Sequence, residues 1–314
     1  MRDAYFRALT ELGARDERVW ALTGDLGIGL FDRFQEAAPG RYLNVGIAEQ
    51  NLVGVAAGLA YAGKLPFAYS IAPFMTSRPH DQIRVDVALP KANVKLVGVG
   101  GGVAYGTLGP THHAIEDIAL MRALPGLSVL TPSDPNDAYL ATLAAAEIDG
   151  PVYLRLGKNG EPSVLPEGTG FEVGRAVELR SGADVAILSA GTILPEAIAA
   201  ADQLAGRGID ATLVHFGTVK PLDVGAVLAA AARCPYVVTA EEHTVMGGFG
   251  SAVAEALAEH GSPARLHRVG LRDEFAHAVG SRTHLVTHYG LDADAIASAA
   301  GTLLEATQFP RSFE

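Results

Sequence analysis

A single cysteine, Cys234, in 314 residues excludes a disulfide framework and any clustered thiolate metal site by counting alone. A reducing cytoplasm is the simplest home for such a chain. No uninterrupted apolar stretch reaches the roughly 20 residues a membrane-spanning helix needs; the most apolar windows are short, or Ala-rich and broken by Gly and charge. There is no block of basic residues, and the formal charge of −11 disfavours nucleic acid or an anionic membrane surface as the main partner. An anionic substrate would have to be held locally. The opening segment from Met1 to Leu12 is amphipathic and carries Arg2, Asp3, Arg7 and Glu11, so no signal peptide is expected there. Short-period repeats and low-complexity tracts are also missing.

With 49% hydrophobic residues the chain can bury a full core, and its length suits two domains better than one. Short β-branched or apolar runs, Val19 to Thr23, Tyr42 to Val45, Leu65 to Ile71, Val94 to Val99 and Ser128 to Leu130, alternate with Ala-rich helical segments. Strands that lose polar alternation are buried on both faces, which predicts a mainly parallel sheet built from βα units. After Val152 to Leu156 comes a stretch of Gly, Pro and polar residues with little periodicity, from Gly157 to Gly170, read as a linker. A second series follows, with strands at Asp184 to Ser189, Ala211 to Phe216 and Tyr236 to Ala240 and helices at Pro195 to Gly206, Val224 to Ala232 and Ser251 to Glu259. The expectation is two tandem three-layer α/β domains with mainly parallel sheets, residues 1–157 and 173–314, joined by a linker over 158–172.

Four segments carry candidate chemistry. In Tyr42-Leu43-Asn44-Val45-Gly46-Ile47-Ala48-Glu49-Gln50-Asn51 a strand runs through Gly into a helix with a carboxylate in its first turn; complementing the helix dipole is one sufficient reason for that acid. In Gly106-Thr107-Leu108-Gly109-Pro110-Thr111-His112-His113-Ala114-Ile115-Glu116-Asp117 a Gly-rich loop opens a helix, and Thr111 fits an N-cap. The segment Ala72-Pro73-Phe74-Met75-Thr76-Ser77-Arg78-Pro79-His80-Asp81-Gln82 follows a buried strand, and Phe74 suits a core position. Thr23-Gly24-Asp25-Leu26 ends the first strand, where a turn Asp commonly caps a helix. Gly98-Val99-Gly100-Gly101-Gly102-Val103 lacks the helix that a dinucleotide loop must enter, and Gly247-Gly248-Phe249-Gly250 reads as a helix-entry turn.

Taken as strings, Gly46-Ile47-Ala48-Glu49-Gln50 with the small-residue helix Gly54-Val55-Ala56-Ala57-Gly58, and Gly109-Pro110-Thr111-His112-His113 with Met121-Arg122-Ala123-Leu124-Pro125-Gly126-Leu127 and Thr131-Pro132-Ser133-Asp134, resemble the thiamine-diphosphate enzymes of the transketolase family. The resemblance runs from the first helix to about Leu304 and extends through Ser181 to Leu188 and Glu241 to Gly250, which are similar to the family's C-terminal domain. It implies that Glu49 is the activating glutamate, which bonds a nitrogen of the cofactor's aminopyrimidine ring and favours the imino tautomer that removes the thiazolium proton. A carboxyl group shielded from water suits that task. It further implies that Phe74 stacks on the aminopyrimidine, that Ile47 lies in the same cofactor-binding string, and that Asp25 stands near the cofactor entrance. His112 would face the substrate channel, where an imidazole can donate to a sugar hydroxyl or move a proton near neutrality. Arg2 and Arg155 fall where phosphorylated-sugar transketolases keep arginines for the substrate phosphate, a role suited to a planar fork of donors, although each also suits an ion pair. Arg78 and His80 would line the same pocket. Three positions depart from the pattern: Gly29 stands for a serine, Gly100 for a phosphate-binding histidine and Leu108 for a hydroxyl-binding aspartate. Together they imply altered donor or acceptor specificity.

Family members of full length bind the cofactor's diphosphate through Mg²⁺ with an N-terminal domain bearing a Gly-Asp-Gly motif. Gly24-Asp25-Leu26 lacks the second Gly, and the chain opens at a Met beside a helix. The resemblance therefore implies a separate N-terminal subunit that holds Mg²⁺, no metal site in this chain, thiamine diphosphate at the interface, and a twofold-symmetric heterotetramer. The leading expectation is two-carbon ketol transfer from a ketose, phosphorylated or modified, to an aldose, active only with the partner. A pyruvate-using carboligase resembling deoxyxylulose-phosphate synthase, or the β subunit of a 2-oxo-acid dehydrogenase, is the alternative within enzymes, although Gly-Pro-Thr-His-His disfavours the dehydrogenase. A non-catalytic assembly subunit is the alternative from another class. Neither nucleic acid nor membrane is expected as a partner.

Overall fold

The computed structural model describes residues 1–158 and 160–308; Asn159, in the expected linker, and residues 309–314 of the expected second domain lie outside the described residues. The strands are β1 (Val19–Thr23), β2 (Tyr42–Asn44), β3 (Leu65–Ile71), β4 (Lys95–Val99), β5 (Ser128–Leu130), β6 (Val152–Leu156), β7 (Val177–Arg180), β8 (Val185–Ala190), β9 (Ala211–Phe216), β10 (Thr218–Lys220), β11 (Tyr236–Thr244) and β12 (Arg265–Leu271). They form a seven-stranded sheet in the order β10-β5-β6-β4-β3-β1-β2 and a five-stranded sheet in the order β12-β11-β8-β9-β7. All pairs are parallel except β10 with β5 and β7 with β9, both at sheet edges. Helices between successive strands return the chain to the same end of the sheet, which is the geometry a parallel pair requires.

Alternation along the strands sorts the core. On one face, Phe67, Tyr69, Val97, Val99 and Leu154 pack with Tyr5, Leu9 and Leu12 of the helix Arg2–Arg15 and Ala138 and Ala141 of the helix Pro135–Glu147. On the other, Ala68, Leu96 and Tyr153 pack under Leu52, Val53 and Ala56 of the helix Glu49–Tyr61, and this cluster continues into Phe216, Val219 and Phe249. The expected strand at Val152 to Leu156 and the expected helix at Val224 to Ala232 sit where they were read, the latter extending to Arg233.

Two local expectations differ from the fold. Thr111 does not cap a helix: the helix begins at Asp117 with Glu116 at its N-cap, and residues 109–113 form turns closed by His112 N–H to Gly109 O at 3.0 Å. The second series also does not stay in its own sheet, because β10 leaves it to pair antiparallel with β5 at Thr218↔Leu130.

Candidate active site

The carboxyl ends of β1, β2, β3, β4 and β6 deliver the loops that hold almost every candidate residue, which is where ligands bind in open parallel sheets. Gly46 takes φ +75° between β2 and the next helix, a conformation that favours glycine, and this turn sets Glu49 at the first helical position. Glu49 is 3% exposed. Its Oε1 accepts from Ser70 Oγ at 3.3 Å, and its Oε2 accepts from Arg78 Nη1 at 3.0 Å. Ser70 can reach it because the residue alternates with Phe67 and Tyr69 on β3 and so faces the helix Glu49–Tyr61.

Pro73 sits in the first turn of the short helix Ala72–Thr76, which raises Phe74 beside this carboxylate. The Arg78 guanidinium lies over the Phe74 ring with Cζ 4.2 Å from its centroid. On the far side, the His112 ring meets Phe74 edge-on at 5.0 Å. His112 Nδ1 is 2.9 Å from Thr111 Oγ1. Burial first, then the Arg78 charge, lowers the His112 pKa below its ordinary value, so the ring is neutral at pH 7. Glu49, Arg78, Phe74 and His112 thus form one continuous group.

Asp25 adopts φ +60°, tolerable for a short polar side chain, and is clasped by Asn44: Nδ2 donates to Asp25 Oδ1 at 2.8 Å while Asn44 Oδ1 accepts from Asp25 N–H at 3.1 Å and Gly46 N–H at 3.0 Å. The clasp couples the loop after β1 to the turn that aims Glu49. Ile47 is 75% exposed beside it. An aliphatic side chain this bare on an ordered turn is suited to being covered by another molecule.

Tyr105 adds what the sequence reading missed. A Cβ at position 100, where φ is +80°, would overlap both Cδ2 and Cε2 of Tyr105, so the edge of this ring occupies the volume that any larger residue at Gly100 would need. Tyr105 stands 6.1 Å from the His112 ring, and Lys158 Nζ lies 4.7 Å above it. Burial raises the Tyr105 pKa and the Arg2 charge opposes that rise. Arg2 itself reaches Asp3 only at 4.0 Å. His80 leads the short helix His80–Gln82, its Nδ1 buried without a hydrogen-bond partner, and makes no ring contact with the Phe74–His112 pair.

Arg155 is engaged within the protein. Its side chain is 3% exposed, and Nε and Nη2 are bonded inside the protein: Nε donates to Asp117 Oδ2 at 2.7 Å, and Nη2 donates to Ala114 O and Glu242 O at 3.0 Å each. Tyr153 Oη donates to the same Asp117 oxygen at 2.6 Å. Arg155 ties β6 to the loop before the helix Asp117–Arg122 and to β11, and does not present a fork to the cleft. Among the described residues no three His, Cys, Asp or Glu side chains come together to hold a metal ion, and no helix is long and apolar enough to cross a membrane.

Residues 1–161 match the family model "Transketolase, pyrimidine binding domain" and residues 174–296 match "Transketolase, C-terminal domain". The chain belongs to the transketolase family. Among its relatives, the 6-deoxy-6-sulfo-D-fructose transketolase subunit of Clostridium sp. is 42% identical over 98% of this chain and 96% of that one. An apulose-4-phosphate transketolase subunit of Actinobacillus succinogenes is 41% identical over 86% and 87%. A solved split-gene transketolase, described as an inactive β4 tetramer, superposes with a TM-score of 0.88 at 41% identity, with 97% of both chains covered. Against the single-chain transketolase of Leishmania mexicana the TM-score is 0.80 at 23% identity, and the chain spans 46% of that enzyme. In extent the chain thus matches the split-gene chain whole and about half of a single-chain transketolase.

Proposed function

We propose that this chain is the pyrimidine-side subunit of a split transketolase that moves a two-carbon ketol unit from a phosphorylated or otherwise modified ketose to an aldose. The observation that carries the reading is Glu49, nearly buried and bonded by Ser70 and by Arg78, whose guanidinium lies over Phe74. The pocket's chemistry supports thiamine diphosphate: the Arg78 guanidinium, a planar N–C–N group, already stands there as the amidine edge of an aminopyrimidine would, bonded to Glu49 and lying on the ring. When bound, this cofactor supplies the nucleophilic carbon and the electron sink for carbon–carbon cleavage.

The chain's own residues then divide the remaining work. Glu49, through a protonated carboxyl, would donate a hydrogen bond to the unprotonated ring nitrogen at the pyrimidine edge and share that proton with it. Phe74 fixes the ring plane by stacking. His112, neutral and 5.0 Å from Phe74, can donate to or accept from a sugar hydroxyl above that plane. Asn44 holds Asp25 and the Gly46 turn, which keeps Glu49 aimed, and Ile47 with Asp25 lines the edge where a second subunit closes over the site. Lys158, over the Tyr105 ring, and Arg2, whose charge is felt at that ring, are cations suited to an anionic sugar terminus.

In this reading Mg²⁺ and the diphosphate belong to the partner subunit. The assembly is a cytoplasmic heterotetramer of two such chains and two N-terminal subunits related by a twofold axis. The division into residues 1–157, 158–172 and 173–314 is part of the same proposal. One sulfonated and one phosphorylated sugar in the names of its relatives support a modified ketose as donor.

The test is coexpression with an N-terminal transketolase subunit and product analysis with thiamine diphosphate and Mg²⁺, offering a ketose phosphate or pyruvate in turn. Ketol transfer by the complex and not by either chain alone supports the reading. Products from pyruvate alone would replace it with the carboligase, and an inert complex that still binds cofactor would favour an assembly role.

A further inference from the structure

We propose that Arg78 is a plug for the cofactor site: in the empty chain its guanidinium occupies the aminopyrimidine position between Glu49 and Phe74, and it swings out when thiamine diphosphate enters. The inference rests on the thiamine-diphosphate reading above.

Three features argue for it. The two groups that would grip a pyrimidine are both engaged by one side chain, since Arg78 Nη1 meets Glu49 Oε2 at 3.0 Å while Cζ lies 4.2 Å over Phe74. A planar ligand cannot take either place until the guanidinium leaves both. Arg78 also has a way out: its side chain is 51% exposed, against a nearly buried Glu49, so it can rotate into solvent without repacking the core. Finally, its backbone is held, while its head is tied only by the Glu49 pair and the Phe74 stack. Ser77 N–H bonds Pro73 O at 2.9 Å, Gln50 Nε2 donates to Arg78 O at 3.4 Å, and Glu49 is the sole carboxylate paired with Arg78 among the described residues.

A half-exposed ion pair and a surface cation–π stack are each weak. A ligand that makes both contacts at once, with its diphosphate held elsewhere, can displace them. The plug thus keeps Glu49 paired in a chain without cofactor, at a cost in affinity equal to the reciprocal of the fraction of time the site is open. That cost is on the order of 5- to 30-fold in the dissociation constant. Arg78 also lowers the His112 pKa, so its departure can be followed at that ring.

The experiment measures thiamine-diphosphate binding by calorimetry on the complex of this chain with its N-terminal subunit, wild type against Arg78→Ala. The variant is expected to bind about 5- to 30-fold more tightly. Equal or weaker binding overturns the plug, weaker binding meaning that Arg78 grips the bound cofactor instead. Should neither complex bind thiamine diphosphate, the cofactor reading falls and the plug with it, an outcome distinct from equal affinities. In the isolated full chain, NMR titration of His112 should show its pKa higher in Arg78→Ala than in wild type; no change would mean that Arg78 does not occupy this place in solution.

Discussion

Replacing Arg155 with Met decides between a substrate-binding and an architectural arginine. Met keeps much of the stem's bulk but removes the Nε bond to Asp117 and the two Nη2 bonds to Ala114 O and Glu242 O. Asp117 is fully buried and would keep only the Tyr153 hydroxyl as a close donor. Burial works against the Arg155 charge, yet Asp117, aided by Tyr153 and Glu242, raises its pKa overall, which marks the pair as mutually dependent. Breaking one side of such a pair costs roughly 3–5 kcal/mol. At about 2–4 °C per kcal/mol, thermal unfolding should begin some 6–20 °C lower. Scanning fluorimetry on the isolated chain measures this. The double variant Arg155→Met with Asp117→Asn should recover part of the loss, since no unpaired charge then remains. An unchanged melting temperature, together with a raised KM for a phosphorylated substrate in the complex, would refute the architectural role and assign Arg155 to the substrate.

Further outcomes follow from the same geometry. Gly100→Ala must drive its Cβ against the edge of the Tyr105 ring at φ +80°, and should cost at least ~1–3 kcal/mol in urea unfolding, with Tyr105→Ala relieving the clash but not the backbone strain. Burial lowers the pKa of both His112 and His113 below 6.5. The unfolded chain therefore takes up protons first as the medium acidifies, and these two residues' contribution to stability, present in full above about pH 6.5, is lost as pH falls through their folded values. Urea midpoints that rise on acidification from pH 7.5 to 5.5 in wild type, and not in a His113→Gln variant, would contradict the sign.

The strands were legible because both faces of a parallel sheet demand continuous apolar runs, and the bounds of β1, β3, β5, β6 and β9 agree with that reading. Glu49 was legible as a residue but not in its surroundings: nothing in Leu65 to Ile71 distinguishes Ser70 as its partner until the pleat assigns it a face. β10 was missed because three residues carry no periodicity and their partner β5 lies some ninety residues earlier. Arg155 misled for a similar reason. An arginine inside the apolar run Val152–Leu156 signals burial with a partner as readily as a ligand, and Asp117 and the Glu242 carbonyl become its neighbours only through the tertiary fold. Tyr105 escaped notice because its meaning depends on the absence of a side chain five residues away, at Gly100.

Turnover by the reconstituted complex carrying Glu49→Gln, with thiamine-diphosphate affinity measured on the same sample, tests the central claim most directly. The account predicts that ketol transfer falls by roughly 10²-fold or more while the fold and the assembly persist. A variant complex that turns over as fast as wild type would contradict it and remove Glu49 from the chemistry.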